Sequence, residues 1–183
     1  MKSLQEYRIS YTGLKTGKHQ FDFDIDERFF NEFEYSLVKT GALQASLELD
    51  KQETMIILLF TIKGVISLDC DVCLSGFPVT VDIHERVIAK FSEDEHLEDN
   101  TEEIIVLGKN EHEIDVSPLM YEYINLAVPY IHRCDEPGKT EWCDKEMLNK
   151  LEELSGNTSE EVNENETDAD PRWEALKKIK NKN

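Results

Sequence analysis

Four cysteines are the residues of this chain whose type and spacing could do chemistry. Cys70 and Cys73 form a C-x2-C pair, and Cys134 and Cys143 follow much later. Two thiolates on a tight turn, joined by two more from a distant loop, can complete the closed tetrahedron of a structural zinc site, with His132 as a substitute ligand. The pattern predicts such a site. One alternative is that the thiols are reduced and bind no metal. The other is a disulfide.

Redox catalysis fits the cysteine pair less well than metal binding does. A reactive thiolate needs a lowered pKa, which a helix N-terminus or nearby cations provide. Asp69 and Asp71 flank Cys70 instead, and negative neighbours raise the pKa of a thiol. A zinc deaminase is disfavoured because no H-x-E precedes the pair and no proline precedes Cys70. No Ser–His–Asp spacing, glycine-rich phosphate loop or paired-carboxylate motif stands out, so we expect no enzyme.

A second candidate site lies at the end of the sequence. The last fourteen residues carry five Lys or Arg and two acids, against the sign of the whole molecule. A basic segment with an aromatic anchor can dock in a groove of a partner or on RNA phosphates, and a solvated tail is the alternative. The predicted partner-binding residues are Arg172, Trp173, Leu176, Lys177, Lys178 and Lys180.

The overall charge limits the classes of partner. The chain has 183 residues, with 39 acidic against 20 basic side chains and a net charge of −19. This excess works against binding to nucleic acid, because phosphate neutralisation needs clustered Lys and Arg. We therefore expect no DNA binding, and contact with RNA only locally or through other proteins.

No segment suggests export or membrane insertion. Residues 1–15 contain no apolar core of a signal peptide. The longest apolar run, at 55–60, is far shorter than the roughly 20 residues that span a bilayer. We expect a soluble, cytoplasmic protein without membrane contact. In the cytoplasm, cysteines are more often metal ligands or free thiols than disulfides. The oligomeric state stays open.

The elements that must position the cysteines are mainly strands in the first half of the chain. Alternating apolar and polar residues predict strands at 4–12 and 19–25 around a turn, and further strands at 42–50, 55–70 and 78–91. The C-x2-C pair lies in the turn between the last two. We expect a kink or bulge at Gly64. The residues predicted to be buried in the last strand are Val79, Val81, Ile83, Val87 and Ile88.

Helices are predicted at two places before the second pair of cysteines. Asp26 is a possible N-cap for a short helix with Phe29, Phe30, Phe33 and Leu37 at helical spacing. Ser117 is the predicted N-cap of a helix that ends before Pro129 and has Leu119, Tyr123 and Leu126 along one face. An acidic loop at 92–103, a strand at 104–108 and a polar connection at 108–115 precede that helix. An irregular loop with Cys134 and Cys143 follows it, then a short helix.

These elements predict an α+β fold: an antiparallel, strongly bent sheet or partial β-barrel with two or three helices. Residues 1–151 are predicted to form a single domain. The acidic stretch 152–170 is predicted to be a disordered linker. Residues 171–183 form the short basic segment that follows.

The order of these features resembles the YceD-like family, the large ribosomal RNA subunit accumulation proteins of bacteria and plastids. The resemblance rests on a strand that runs into LDCDVCLSGFPVTV, a helix that ends in NLAVPYIHRC, the later Cys143 and the closing DPRWEALKKIK. Cys70 and Cys73 match the paired cysteines of the family, Val128 and Pro129 the pair that closes the helix, and Cys143 the later cysteine. The family has a histidine near position 134, where this chain has Cys134 after His132. Either residue suits a zinc site.

The resemblance implies a non-enzymatic factor that supports accumulation of large-subunit ribosomal RNA and assembly of the large ribosomal subunit. Its partner would be a ribosomal protein or the precursor RNA. The alternative is a protein-interaction module, held together by zinc, with an unrelated partner. A hydrolase acting on RNA is a third hypothesis, disfavoured because the sequence contains no catalytic constellation.

Overall fold

The computed structural model of the chain describes residues 3–91, 104–108, 110–134 and 140–155. The chain folds as two units, Met1–Asp144 and Lys145–Asn183. The predicted acidic loop at 92–103, residues 156–170 of the predicted linker, and the basic segment 171–183 lie outside the described residues. In the described part of the chain, no helix is long and apolar enough to cross a membrane.

The described elements of the first unit are seven strands, two α-helices and two short 3₁₀ helices. The first 3₁₀ helix is Ser3–Tyr7 and the second is Thr140–Trp142. In chain order, the strands and α-helices are β1 (Arg8–Ser10), β2 (Gly17–Ile25), α1 (Glu27–Asn31), β3 (Thr40–Lys51), β4 (Met55–Asp69), β5 (Gly76–Phe91), β6 (Ile104–Leu107), β7 (Glu113–Asp115) and α2 (Ser117–Leu126).

The second unit contains one described helix, α3 (Lys145–Leu154). An ion pair between Lys150 and Glu146, one helical turn apart, joins side chains on its surface at 2.7 Å. The helix includes the first residues of the predicted linker.

Five strands form one open sheet in the order β2–β3–β4–β5–β6. The pairs from β2 to β5 are antiparallel, whereas β6 lies parallel to β5. A parallel neighbour requires a long connection in place of a hairpin, and residues 92–103 join these two strands. The α+β prediction is confirmed. The sheet does not close into a barrel, and its last pair departs from the expected antiparallel order.

One face of the sheet forms the core of the first unit. Side chains alternate between the two faces along a strand, so every second residue of β4 and of β5 points to the core. Ile62 of β4 and Ile83 of β5 are both buried there and are paired across the strands. Tyr123 of α2 packs on this face against Phe60, with ring centroids 5.5 Å apart. The predicted burial of Val79, Val81, Ile83 and Val87 is confirmed. Ile88 lies on the opposite face and is only half-buried.

Gly64 does not mark a bulge. Its pairing is one-to-one on both sides, with Leu43 on β3 and Val81 on β5. A Cβ atom at this position would lie 2.6 Å from Leu43 Cα and closer still to the carbonyl oxygen of Ala42, and the φ angle is +154°. The glycine therefore permits the close approach of β3.

The first two predicted strands do not pair with each other. Ser3–Tyr7 is a 3₁₀ helix, and β1 begins only at Arg8. β1 pairs with β7, with Ile9 opposite Ile114, and β2 pairs with β3. The predicted polar connection at 108–115 thus contains a strand. Both strands of the small sheet have three residues, which is too short for alternation to reveal.

The helix at the start of the sheet follows the prediction in part. Asp26 Oδ1 accepts a hydrogen bond from the Arg28 N–H at 2.9 Å, so Asp26 is the N-cap as predicted. Phe29 and Phe30 are buried. The helix ends at Asn31, however, so Leu37 is not on it, and its side chain is 67% exposed.

The second helix begins at the predicted position but faces another way. Ser117 is its first residue and not its N-cap, and its N–H donates to Asp115 Oδ1 at 3.0 Å. Of the predicted face, Tyr123 is buried, Leu119 is half-buried and Leu126 is 74% exposed. The fully buried apolar partners of Tyr123 on the helix are Met120 and Ile124.

Candidate metal centre

The turn between β4 and β5 holds the first two cysteines on one closed loop. Its ends are fixed by the pairing of Asp69 with Gly76. Inside, the Cys70 N–H donates to the Ser75 carbonyl at 2.9 Å, and the Leu74 N–H donates to the Cys70 carbonyl at 3.0 Å. Leu74 has a φ of +60°, the left-handed conformation that lets the chain reverse. The predicted turn is confirmed, and it directs Cys70 and Cys73 into the same space.

Sulfur atoms from three segments meet at this turn. The Sγ atoms of Cys70, Cys73 and Cys134 lie within 4.8 Å of one another, and all three residues are buried. The Cys73 Sγ lies 3.3 Å from that of Cys134 and 3.7 Å from that of Cys143. All four cysteines are free, and these separations far exceed the roughly 2.05 Å of a disulfide. Thiolates about 2.3 Å from a central zinc at tetrahedral corners are about 3.8 Å apart, so the cluster could hold a metal ion.

Asp71 ties the segment after α2 to the turn. Its backbone N–H donates to the His132 carbonyl at 2.8 Å, and its Oδ2 accepts the His132 N–H at 2.7 Å. This reciprocal pair of bonds brings Cys134, two residues further on, to the C-x2-C turn. The His132 ring also faces Asp71, with Nδ1 3.8 Å from Oδ1. The sequence offered Asp71 only as a negative neighbour of Cys70. A side chain that clamps a distant backbone leaves no signal in residue spacing.

Backbone N–H groups stabilise the thiolate form of one cysteine. Those of Ser75 and Asp144, with the Cys134 thiol, lower the pKa of Cys73 to about 6 against the opposing effect of burial. The Val72 N–H also donates to Cys70 Sγ, at 3.4 Å. Because a metal ligand must be a thiolate, this environment favours coordination. The Cys73 side chain is buried, which does not suit a redox nucleophile that must meet a substrate.

The pKa of Cys134 is raised, whereas that of Cys73 is lowered. Desolvation, together with hydrogen bonds that the protonated Cys134 thiol donates to the neighbouring sulfurs, raises the pKa of this residue well above its ordinary value. A buried thiol keeps its proton because nothing offsets the cost of a buried negative charge. A bound cation would supply that offset.

The structure brings together the four predicted cysteines from three parts of the chain. Cys70 and Cys73 come from the β4–β5 turn, Cys134 from the segment after α2, and Cys143 from the residues after the second 3₁₀ helix. His132, the predicted substitute ligand, lies against Asp71. The predicted partner-binding residues lie outside the described part of the chain: Arg172, Trp173, Leu176, Lys177, Lys178 and Lys180.

Comparison with known proteins assigns the chain to a family. A family model described as large ribosomal RNA subunit accumulation protein YceD matches residues 58–180. Comparisons with curated proteins and with solved structures give no match. The matched range begins within β4 and includes β5, α2 and all four cysteines. Since it covers well over half of the sequence and confirms the resemblance found there, the chain belongs to the YceD family of large ribosomal RNA subunit accumulation proteins.

Proposed function

We propose that this protein is a non-enzymatic factor that supports accumulation of large-subunit ribosomal RNA during assembly of the large ribosomal subunit. The observation that carries the proposal is the family match over residues 58–180. The family name describes RNA accumulation and no reaction. A cytoplasmic location follows from this role as part of the proposal.

We further propose that Cys70, Cys73, Cys134 and Cys143 bind one structural zinc ion. The sulfur separations of 3.3 and 3.7 Å are close to those of a thiolate tetrahedron. Cys143 is preferred to His132 as the fourth ligand because its sulfur lies beside that of Cys73, whereas the His132 ring lies beside Asp71. Zinc would supply four strong bonds between segments that the hydrogen bonds of Asp71 with His132 also join.

The exposed face of the sheet favours a protein partner over RNA. Cross-strand pairing puts Glu48, Leu59 and Arg86 in one row of that face, and Gln44, Lys63 and Asp82 in another. Proteins that read single-stranded RNA on an open sheet stack its bases on aromatic side chains. In β2 to β5 this face includes no Phe, Tyr or Trp, and the side chains on it that could stack on a base are His84 and Arg86. Acids outnumber Lys and Arg on the face. A basic ribosomal protein fits this surface better than precursor RNA does.

Co-sedimentation of the full-length protein with large-subunit precursors tests the proposal. We expect the protein in the precursor fractions of a sucrose gradient and not with mature small subunits. Deletion of residues 170–183 then measures whether the predicted basic segment adds a contact. Crosslinking in the same fractions identifies the neighbour, and a dominant partner outside the large subunit would favour the alternative of an unrelated interaction module.

An RNA-cleavage assay addresses the hydrolase hypothesis. We expect no cleavage of large-subunit precursor RNA by the purified protein, with or without a chelator. Cleavage that requires intact cysteines would contradict a non-enzymatic role.

A further inference from the structure

An open groove of about 550 Å³ lies between α2 and the loop that joins α1 to β3. We call it the α2 groove. Its walls are mostly apolar, and the polar side chains among them are Glu122 and Asn125. The lining residues are Tyr35 and Leu37 from the loop, and Pro118, Tyr121, Glu122, Asn125 and Leu126 from α2.

The apolar side chains of the α2 groove are exposed to an unusual degree. Tyr35 is 84% exposed, Leu37 67% and Leu126 74%. Single exposed apolar residues are common on soluble proteins, but a cluster that lines a groove marks an interaction site. Leu37 and Leu126 are also the two positions where helical spacing predicted a core face and the fold turned the side chain outward. Such local departures from the sequence pattern are expected at functional sites.

Contacts between its two walls hold the groove in shape. Asn125 Oδ1 accepts the Leu37 N–H at 3.3 Å, which joins α2 to the loop. Within α2, Asn125 Nδ2 donates to the Tyr121 carbonyl at 2.7 Å and fixes the side chain. The Phe33 ring stacks on that of Tyr121, with centroids 3.9 Å apart. A partner would therefore meet a preformed surface, which lowers the entropic cost of binding.

A second groove, of about 580 Å³, continues on the other side of α2. Glu122 and Leu126, one helical turn apart, line both grooves. The remaining walls come from Tyr123 and, on β5, from His84, Glu85, Arg86 and Ile88. Along 76–87, no other strand in the described part of the chain pairs with β5 on the side away from β4, because the pairing with β6 starts at Ile88. The ridge of α2 is thus bordered by two grooves and carries Glu122, and the second groove contains Glu85 together with Arg86 and His84.

Charge selects among the possible occupants. A second copy of the chain would bring another net charge of −19, and RNA and anionic lipid also carry negative charge. All three would be repelled. A basic protein segment is attracted instead, and apolar side chains within it would fill the α2 groove while Lys or Arg meets Glu122.

We propose that the α2 groove binds a basic segment of a large-subunit ribosomal protein, with an apolar anchor side chain seated against Leu37 and Leu126. The proposal rests on the proposed function for the source of the segment. The shape, exposure and charge of the groove rest on the structure alone.

Binding of synthetic peptides to the intact protein tests this site. The probes are overlapping peptides that cover the basic segments of large-subunit ribosomal proteins, measured by fluorescence anisotropy. We expect at least one peptide with Lys or Arg beside apolar residues to bind. The double variant Leu37→Ser/Leu126→Ser should weaken it by at least about tenfold, the size expected when apolar anchors of an interface are truncated. Glu122→Lys should weaken it and reduce its salt dependence.

A matched control removes exposed apolar surface elsewhere. Leu151 and Leu154, on α3, are 41% and 84% exposed. The variant Leu151→Ser/Leu154→Ser should bind the peptide as the wild type does. Circular dichroism and thermal unfolding of each variant establish that binding is compared between folded proteins.

Several outcomes would overturn the site. They are no peptide bound by the wild type, equal binding by the groove variant, or a large-subunit RNA fragment as the ligand that the groove variant loses. A wild-type dimer that Leu37→Ser/Leu126→Ser dissociates would identify a second copy as the occupant, also against the proposal. Peptide binding at the groove without co-sedimentation would remove the proposed function and leave the groove. Co-sedimentation that the groove variant retains in full would remove the groove and leave the function.

Discussion

At the scale of residues, the cysteines and Asp71 both join the β4–β5 turn to the segment that follows α2. The sulfurs of Cys73 and Cys134 approach to 3.3 Å, and the backbone around them is joined through Asp71 and His132. The sequence predicted the cysteines because thiol ligands occur at recognisable spacings. It did not predict Asp71, whose role depends on a backbone group brought near only by the fold. The predicted placement of Leu37 and Leu126 on the apolar faces of helices was wrong for a related reason. The sequence shows that these side chains are apolar, but only the fold determines which apolar side chains the core covers.

Elemental analysis of protein purified without a tag tests the zinc proposal. We expect about one zinc per chain, lost in Cys70→Ser and in Cys143→Ser because either change breaks the ligand set. His132→Ala is the matched control and should retain zinc. Chelation should lower the unfolding temperature of the wild type and leave that of Cys143→Ser unchanged. Metal-free protein with four reactive thiols would contradict the site, and zinc lost in His132→Ala would change its fourth ligand.

Asp71 should stabilise the fold even apart from metal. Asp71→Ala removes the acceptor of the His132 N–H, and we expect a loss of about 1 kcal/mol in the free energy of unfolding. Asp71→Asn should lose less, because its amide oxygen can still accept that bond. Urea unfolding in the presence of a chelator measures both. The control is Asp69→Ala, which removes the neighbouring carboxylate. An equal loss of stability in Asp69→Ala would assign the effect to the loss of a negative charge and not to the hydrogen bond between Asp71 and His132.

At the scale of elements, the long strands were predictable and the short ones were not. β3, β4 and β5 alternate over many residues, and their period of two leaves one apolar face that only a sheet can bury. β1 and β7 are three residues each, and their pairing joins segments that are far apart in the sequence. The parallel pairing of β6 with β5 depends on how the connection runs, which local alternation does not encode. On α2, the burial of Tyr123 was predicted correctly. The other buried apolar residues, Met120 and Ile124, were not predicted, because the way the helix packs in the fold determines which of its sides is buried.

Gly64 should be the glycine whose substitution costs most in the sheet. In Gly64→Ala the new Cβ would lie 2.6 Å from Leu43 Cα, so β3 and β4 must separate. We expect a loss of more than about 2 kcal/mol in the free energy of unfolding, measured by urea denaturation. Gly108→Ala is the control, since nothing lies within 4 Å of a Cβ at that position. Comparable stability of the two variants would contradict the close approach of the strands.

At the scale of the whole molecule, charge and family membership point to a protein that acts through other proteins. A net charge of −19 opposes direct wrapping by RNA, and on the open face of strands β2 to β5 acids outnumber Lys and Arg. The family match adds the connection to large-subunit RNA, which no single residue of the chain would reveal. Together they support the proposed role, in which this acidic protein would contact a basic component of the assembling large subunit.

The most direct test of this account is the ratio of large- to small-subunit ribosomal RNA in cells depleted of the protein. Pulse-labelled RNA separates synthesis from accumulation. We predict a normal labelling rate, a lower steady-state ratio, and restoration by the wild-type chain but not by Cys70→Ser expressed at the same level. An unchanged ratio after complete depletion would contradict the central claim.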